Sequence, residues 1–185
     1  MRTFLLLLFL LPFAVIAQVS TYYSGDVSAN FGRQLSWTGV GANLSGNIRV
    51  VNNLYAGVST GVLHIRPYVN HLTIPLSARV TFFTSNEEKF APFGLFEYGK
   101  LFYKEKGFAG IQDYVMEGKH SFFTGVGVRL PSHHKTYPFF AIGYAGFFYA
   151  NNQYDHQNTL LVSRPYTFRR IAIRAGIMLP RKSHH

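Results

Sequence analysis

Cysteine is absent from the 185 residues. That excludes a disulfide framework, a zinc–thiolate site, a thiol nucleophile and a lipidated anchor cysteine. Charge is scarce: Asp, Glu, Lys and Arg make up 14% of the chain, against about 25% in soluble domains. Acids are scarcer still, 8 against 18 Lys and Arg, for a formal charge of +10. Beyond residue 17 no apolar run approaches the roughly 20 residues of a transmembrane helix, and no 3.6-residue period is sustained. What is abundant then carries the argument. Aromatics make up 17% of the chain and glycines number 17. Many aromatics and glycines with few charges suit β-strands that turn one face to an apolar solvent.

The N-terminus speaks for export. Met1-Arg2 is a short positive region, Phe4 to Ile16 is an apolar run broken by Pro12, and Val15-Ile16-Ala17 offers compact residues to a signal peptidase. The run is too short to span a bilayer. It reads as a signal peptide over residues 1–17, with the mature domain over 18–185. Loss of Arg2 lowers the formal charge to +9. Export argues against nucleic acid as the partner of this basic chain. It leaves lipopolysaccharide, other anionic glycans and acidic lipid headgroups.

The mature chain alternates with period 2 in eight segments. Val27, Ala29 and Phe31 oppose Ser24, Asp26, Ser28 and Asn30 in Tyr22–Phe31. Thr38–Val50 sets Val40, Ala42, Leu44 and Ile48 against Gly41, Asn43, Ser45, Asn47 and Arg49. Leu54–Arg66 sets Val58 and Val62 against Tyr55, Gly57, Ser59 and Gly61, and Leu72–Phe82 sets Ile74, Leu76 and Val80 against Thr73, Ser77 and Arg79. Ala91–Lys104 is the least regular: Phe96, Tyr98 and Phe102 share a face opposite Glu97 and Gly99, and Lys100 breaks it, through an interface position or a bulge at Gly99. Phe122–Leu130, Phe139–Tyr149 and Arg170–Leu179 complete the set, with Arg129 and Arg174 among their polar positions. A tilted strand of about 9–11 residues crosses a bilayer, and an even number of antiparallel strands closes without an edge.

The connections alternate in length. Short ones fall at Val51-Asn52-Asn53, Thr84–Lys89 and Ser132–Lys135; a first connection covers Gly32–Trp37; long ones fall at Glu105–His120 and Asn151–Phe168. Pro67–His71 is short where the alternation asks for a long loop. Short periplasmic turns and long external loops place both termini in the periplasm. The small polar face suits a narrow lumen, and the Val, Ile, Leu and Phe face suits acyl chains. Aromatics at segment ends (Tyr22, Tyr23, Trp37, Tyr68, Phe82, Phe83, Tyr137, Phe139, Phe148, Tyr149 and Phe168) are expected to form the two interfacial belts.

Residues Val15-Ile16-Ala17-Gln18, Thr73–Arg79, Tyr137–Gly143 and Ile171–Gly176, set in the eightfold pattern, carry a resemblance. Over about Thr21–Leu179 the chain resembles the small outer-membrane β-barrel proteins of the OmpX/OmpA-transmembrane type, especially the short Bacteroidetes versions. The resemblance implies an all-β, membrane-embedded, antiparallel up-and-down eight-stranded barrel in the cell outer membrane, and the barrel-assembly machinery as a partner. The ending Leu179–His185 departs from it, since such barrels often finish on an aromatic residue.

Several constellations could carry chemistry. Strand counting sets Asp26 level with Arg174 across the closing strands, and Arg79 opposite Glu97. With Arg49 and Arg129 these residues are expected to form a salt-bridged plug in the lumen, because buried charges are costly unless paired. Tyr114, Tyr154, Arg164 and Tyr166 mark the long loops as a surface for an extracellular ligand. His133-His134 and His184-His185 have no carboxylate or thiolate beside them and read as solvated, so no metal and no cofactor is expected. A lipid A-modifying enzyme would need a nucleophile and base among His64, His71, His120 and Ser121, at spacings that match no such arrangement. The expected function is a non-enzymatic outer-membrane protein contributing to envelope integrity or surface binding. The alternatives are that lipid-modifying enzyme and a secreted, soluble lipocalin-like barrel.

Overall fold

Alternating segments joined by short turns can each hydrogen-bond to the next, and the chain pairs in sequence order. The computed structural model describes residues 20–32, 38–65, 72–84, 90–109, 112–132, 136–155, 157 and 159–181. They form β1 (Thr21–Phe31), β2 (Thr38–Val51), β3 (Leu54–Ile65), β4 (Ile74–Phe83), β5 (Ala91–Phe102), β6 (Lys104–Ala109), β7 (Gln112–Arg129), β8 (Tyr137–Tyr154) and β9 (Leu160–Arg181). β1 pairs antiparallel with both β2 and β9, and β5 with both β4 and β7, so the sheet closes. β6 continues β5 beyond Tyr103 and pairs with the far half of β7. The nine elements therefore make eight staves of one closed antiparallel barrel. Thr21 lies opposite Arg181, which places both described termini at one end, here named the turn end.

Parity fixes the two faces. Outside, Val27, Leu44, Val58 and Val126 are 62–68% exposed, as on a wall meant for lipid. Inside, Arg79, Glu97, Phe93 and Phe139 are buried. Several aromatics expected in the interfacial belts belong to the inside instead. Tyr22, Phe83, Tyr137, Phe139, Tyr149 and Phe168 are buried in the lumen, whereas Tyr23 and Phe82 face out. The reason is the period itself: adjacent aromatics such as Tyr22-Tyr23 and Phe82-Phe83 must point to opposite faces. The irregularity near Lys100 also lies elsewhere than at Gly99. Pairing runs unbroken through Gly99 on both sides, and the extra residue is on β7, between Gly118 and Ser121. Lys100 simply faces outward with Tyr98 and Phe102.

β1 to β5 have 10–14 residues each, enough to cross once. β7, β8 and β9 run to 18, 18 and 22 residues and overshoot at the other end, the hairpin end. The segments Glu105–His120 and Asn151–Phe168 are thus β-hairpins for most of their length rather than loops. Above the apolar band both faces meet water, so the apolar–polar contrast disappears from the sequence while backbone pairing continues. The leader over residues 1–17, Trp37, Tyr68, His71, His133, His134, His184 and His185 lie outside the described residues.

The β2–β3 connection is a two-residue turn, with Val51 opposite Leu54 and Asn52 at φ 26°. Positive φ is tolerated by Asn and Gly and costs other residues about 1–2 kcal/mol. We therefore expect Asn52→Gly to preserve the urea midpoint of the refolded barrel. Asn52→Val should lower its stability by about 1–2 kcal/mol, and equal midpoints would refute the turn.

Candidate functional site

The lumen is the site the strands build. Small residues on the inner face leave room for a few long ones. A Cβ on Gly143 would meet the Phe123 ring at 2.7 Å, and one on Gly125 would meet it at 2.8 Å. Phe123 therefore lies across two glycines, and its ring carries the Arg174 guanidinium 3.9 Å from the centroid.

Four charges share the middle of the bore. Arg79 and Glu97 are register partners on β4 and β5, and Arg79 Nη1 lies 3.4 Å from Glu97 Oε1. The other oxygen, Oε2, accepts from Arg174 Nη2 at 2.7 Å. Arg79 Nη1 is also 3.9 Å from Asp26 Oδ2. Two carboxylates thus face two guanidiniums, which cancels the formal charge where isolated charges would be costly. Polar side chains extend the set. Asn43 Nδ2 donates to Asp26 Oδ1 at 3.0 Å, Arg79 Nη1 to Ser45 Oγ at 3.1 Å, and Asn47 Nδ2 to the same hydroxyl at 2.9 Å. Ser24 and Ser45 share a further bond at 2.6 Å.

Not all sequence candidates meet there. Asp26 lies opposite Gly176, and Arg174 opposite Ser28; the ion pair of Asp26 is with Arg79, and Arg174 turns to Glu97. Arg49 and Arg129 lie nearer the turn end. Arg49 donates to the Tyr55 hydroxyl from Nε at 3.1 Å and Nη2 at 3.0 Å. Arg129 stacks over Phe83 and Tyr137 at 5.0 and 5.2 Å. Sequence reasoning passed over Arg170, which is buried in the lumen and 5.9 Å above the Phe168 ring. Its shared parity with Arg174 was the available signal.

Aromatic layers flank the charges on both sides. Toward the turn end, Tyr22, Tyr55, Phe83, Phe93 and Phe139 form a chain of edge and tilted contacts with centroids 5.0–5.8 Å apart. Toward the hairpin end, Tyr149 meets Tyr103 and Phe168 at 5.7 and 5.6 Å, and Thr73 and Tyr149 share a hydroxyl contact of 3.3 Å. Two lumen cavities accompany these layers. One of about 30 Å³ borders Ser28, Asn30, Ser59 and Arg174, and one of about 40 Å³ borders Tyr22, Phe83 and Arg129. Each has room for a few water molecules only.

The remaining candidates separate. His120 stacks on Phe148 outside the barrel at 4.1 Å, while Ser121 is buried inside. These neighbours point to opposite faces and cannot act as base and nucleophile together. His64 lies on β3, opposite Val40. Tyr114, Arg164 and Tyr166 share the parity of the inward residues Met116 and Phe168, whereas Tyr154 has the opposite parity. All four belong to paired strands of the hairpin sheet, not to loops. Among the described residues no group of three or more His, Cys, Asp or Glu could hold a metal ion.

The closed ring of eight antiparallel staves is similar to solved structures. Neisserial surface protein A aligns at 14% identity with a TM-score of 0.54, over 86% of this chain and 96% of that one. The outer membrane protein OprG from Pseudomonas aeruginosa aligns at 7% identity with a TM-score of 0.59, over 88% and 96%. The chain has the fold of the small outer-membrane β-barrels. The N-terminal β-barrel domain of Pseudomonas aeruginosa OprF gives a third example, at 9% identity and a TM-score of 0.51, over 88% of this chain and all of that domain. No protein-family model and no curated sequence matches the chain. At these identities the likeness is one of fold, and the barrel's role rests on its own residues.

Proposed function

We propose that this barrel is a non-enzymatic protein of the bacterial outer membrane whose lumen is closed and whose hairpins face outward, contributing to envelope integrity or surface binding. Both termini are then periplasmic, and the chain reaches its place through the signal peptide and the barrel-assembly machinery. The observation that carries the reading is the layering of the bore: aromatic, charged, aromatic, with a cavity of only about 30 Å³ beside the charged layer and one of about 40 Å³ among the turn-end aromatics. The ion-paired layer is itself neutral, and the rings packed on either side of it, with Arg49, Arg129 and Arg170 among them, leave little room for a continuous water path. The hairpin sheet bearing Tyr114, Tyr154, Arg164 and Tyr166 supports the binding half of the reading, since rigid aromatic and Arg side chains suit recognition.

Two measurements test this. In planar bilayers the refolded protein should give no steady conductance; reproducible ohmic steps would overturn the closed lumen. A deletion strain should become more permeable to apolar antibiotics, or lose surface binding, while its lipid A acyl pattern stays the same. A changed acyl pattern would replace this reading with a lipid-modifying activity.

A further inference from the structure

Among the described residues, outward-facing cations are confined to one part of the barrel wall. Among the described residues, β1 to β4 present no Lys or Arg to the outside. The inward cations Arg49, Arg79, Arg129, Arg170 and Arg174 belong to the lumen. On the other half, near the hairpin end, Lys100 on β5, Lys104 on β6, Lys119 on β7 and Arg169 on β9 all face out.

These cations border an aromatic shelf. Lys100 is the register partner of His120, and His120 lies between Tyr98 and Phe148, with centroids 5.9 and 4.1 Å away. Phe122 continues the shelf, 6.1 Å from Phe148 and 5.9 Å from Tyr144. Its ring covers Gly146, where a Cβ would meet it at 2.2 Å. Gly146 is the register partner of Arg169, so Lys100 and Arg169 bracket the shelf from β5 and β9. The bulge in β7 supplies His120 and Lys119 to this position. Glu117 balances Lys104 at 3.7 Å and Lys119 at 3.2 Å. One carboxylate for those two lysines leaves a surplus, and Lys100 and Arg169 make no ion pair among the described residues. Below the shelf the same wall is apolar, with Phe96, Val126, Ile142, Ile171 and Ile173 exposed.

Cations over aromatics at the top of an apolar wall fit a ligand with an anionic head and acyl chains. We propose that this face binds an outer-leaflet lipid through its headgroup phosphate, held by Lys100, Arg169 and the Lys119 side of the bulge, with the acyl chains along β5 to β9. The inference rests on the membrane-barrel reading above and adds a specific partner to it. Charge complementarity selects phosphate, and the apolar wall directly below selects a lipid over a free anion.

The test uses the full mature barrel refolded into phosphatidylcholine bilayers containing a few per cent phosphorylated lipid A, with retained lipid counted by native mass spectrometry. The wild-type barrel should keep phosphorylated lipid A and release its dephosphorylated form. At about tenfold per 1.4 kcal/mol and about 1 kcal/mol per surface cation, Lys100→Gln with Arg169→Gln should weaken retention about 30-fold. Lys106→Gln, farther out on β6, should retain lipid like the wild type. Heat-modifiable gel migration checks that each variant is folded. Retention blind to phosphate or to the double substitution, an equal loss in Lys106→Gln, or displacement of the lipid by millimolar inorganic phosphate would each overturn the site while leaving the barrel reading intact. A wild-type protein that fails to enter the bilayer would overturn both.

Discussion

Replacing Glu97 by Gln is expected to destabilise the barrel by about 3–5 kcal/mol. Glu97 touches both Arg79 and Arg174, at 3.4 and 2.7 Å. Its removal leaves two buried guanidiniums sharing Asp26, which lies 3.9 Å from Arg79. The cost comes less from the bonds lost than from the uncompensated charge, which the lumen cannot hydrate as bulk water would. Asp26→Asn should cost less, because an amide can still accept from Asn43, whose donation now spans 3.0 Å. Urea titration of the refolded protein in micelles, followed by tryptophan fluorescence or gel migration, reads both variants. A shift below about 1 kcal/mol for Glu97→Gln would mean that the four charges do not act as one buried layer. A further substitution of both arginines by uncharged residues of similar length should recover part of the loss, since a neutral core avoids the desolvation penalty.

Leu44→Arg should cost about 2–4 kcal/mol, for the opposite geometrical reason. Leu44 faces outward from the middle of β2, between Gly25 and Thr60, and is 68% exposed. On a soluble barrel such a position meets water, and an arginine there would change stability by less than about 0.5 kcal/mol. In a bilayer it meets acyl chains, where a charge near the midplane is penalised. The neighbouring residue Asn43 points to the lumen, so one step along the same strand separates a polar environment from a lipid one. The measurement is the folding free energy in phospholipid vesicles against urea. An unchanged value for Leu44→Arg would identify the outer solvent as water and return the chain to the soluble, lipocalin-like class.

The two expectations depend on a sequence signal that is strong in the barrel and weak beyond it. Within the band, Val40-Gly41-Ala42-Asn43-Leu44-Ser45 alternates because lipid and lumen make opposite demands on successive residues. This made the strands of β1 to β4 legible nearly to their ends. In the hairpins, Asn151-Asn152-Gln153 carries no alternation, because both faces are polar, and the continuing strands look like loops in the sequence. Adjacent aromatics misled in a similar way: composition placed them at the interfaces, but strand parity turned Phe83, Phe139 and Tyr149 into the lumen.

The sequence by itself determined the two opposed faces of the wall, the number of staves and the chemistry available to the bore. Those follow from local rules: period 2, strand length and the rarity of charge each act over a few residues. Only the tertiary structure decided the partners. Closure of the sheet brings β9 beside β1 and lets long side chains reach across the bore. Arg174 thereby reaches Glu97 across the bore at 2.7 Å, and Arg49 and Arg129 come to lie over the rings of Tyr55 and of Phe83 and Tyr137. The same closure gathers Lys100, His120 and Arg169, far apart in the chain, onto one stretch of outer wall. Contacts between distant strands depend on register and on the width of the bore, and neither is fixed by any single segment.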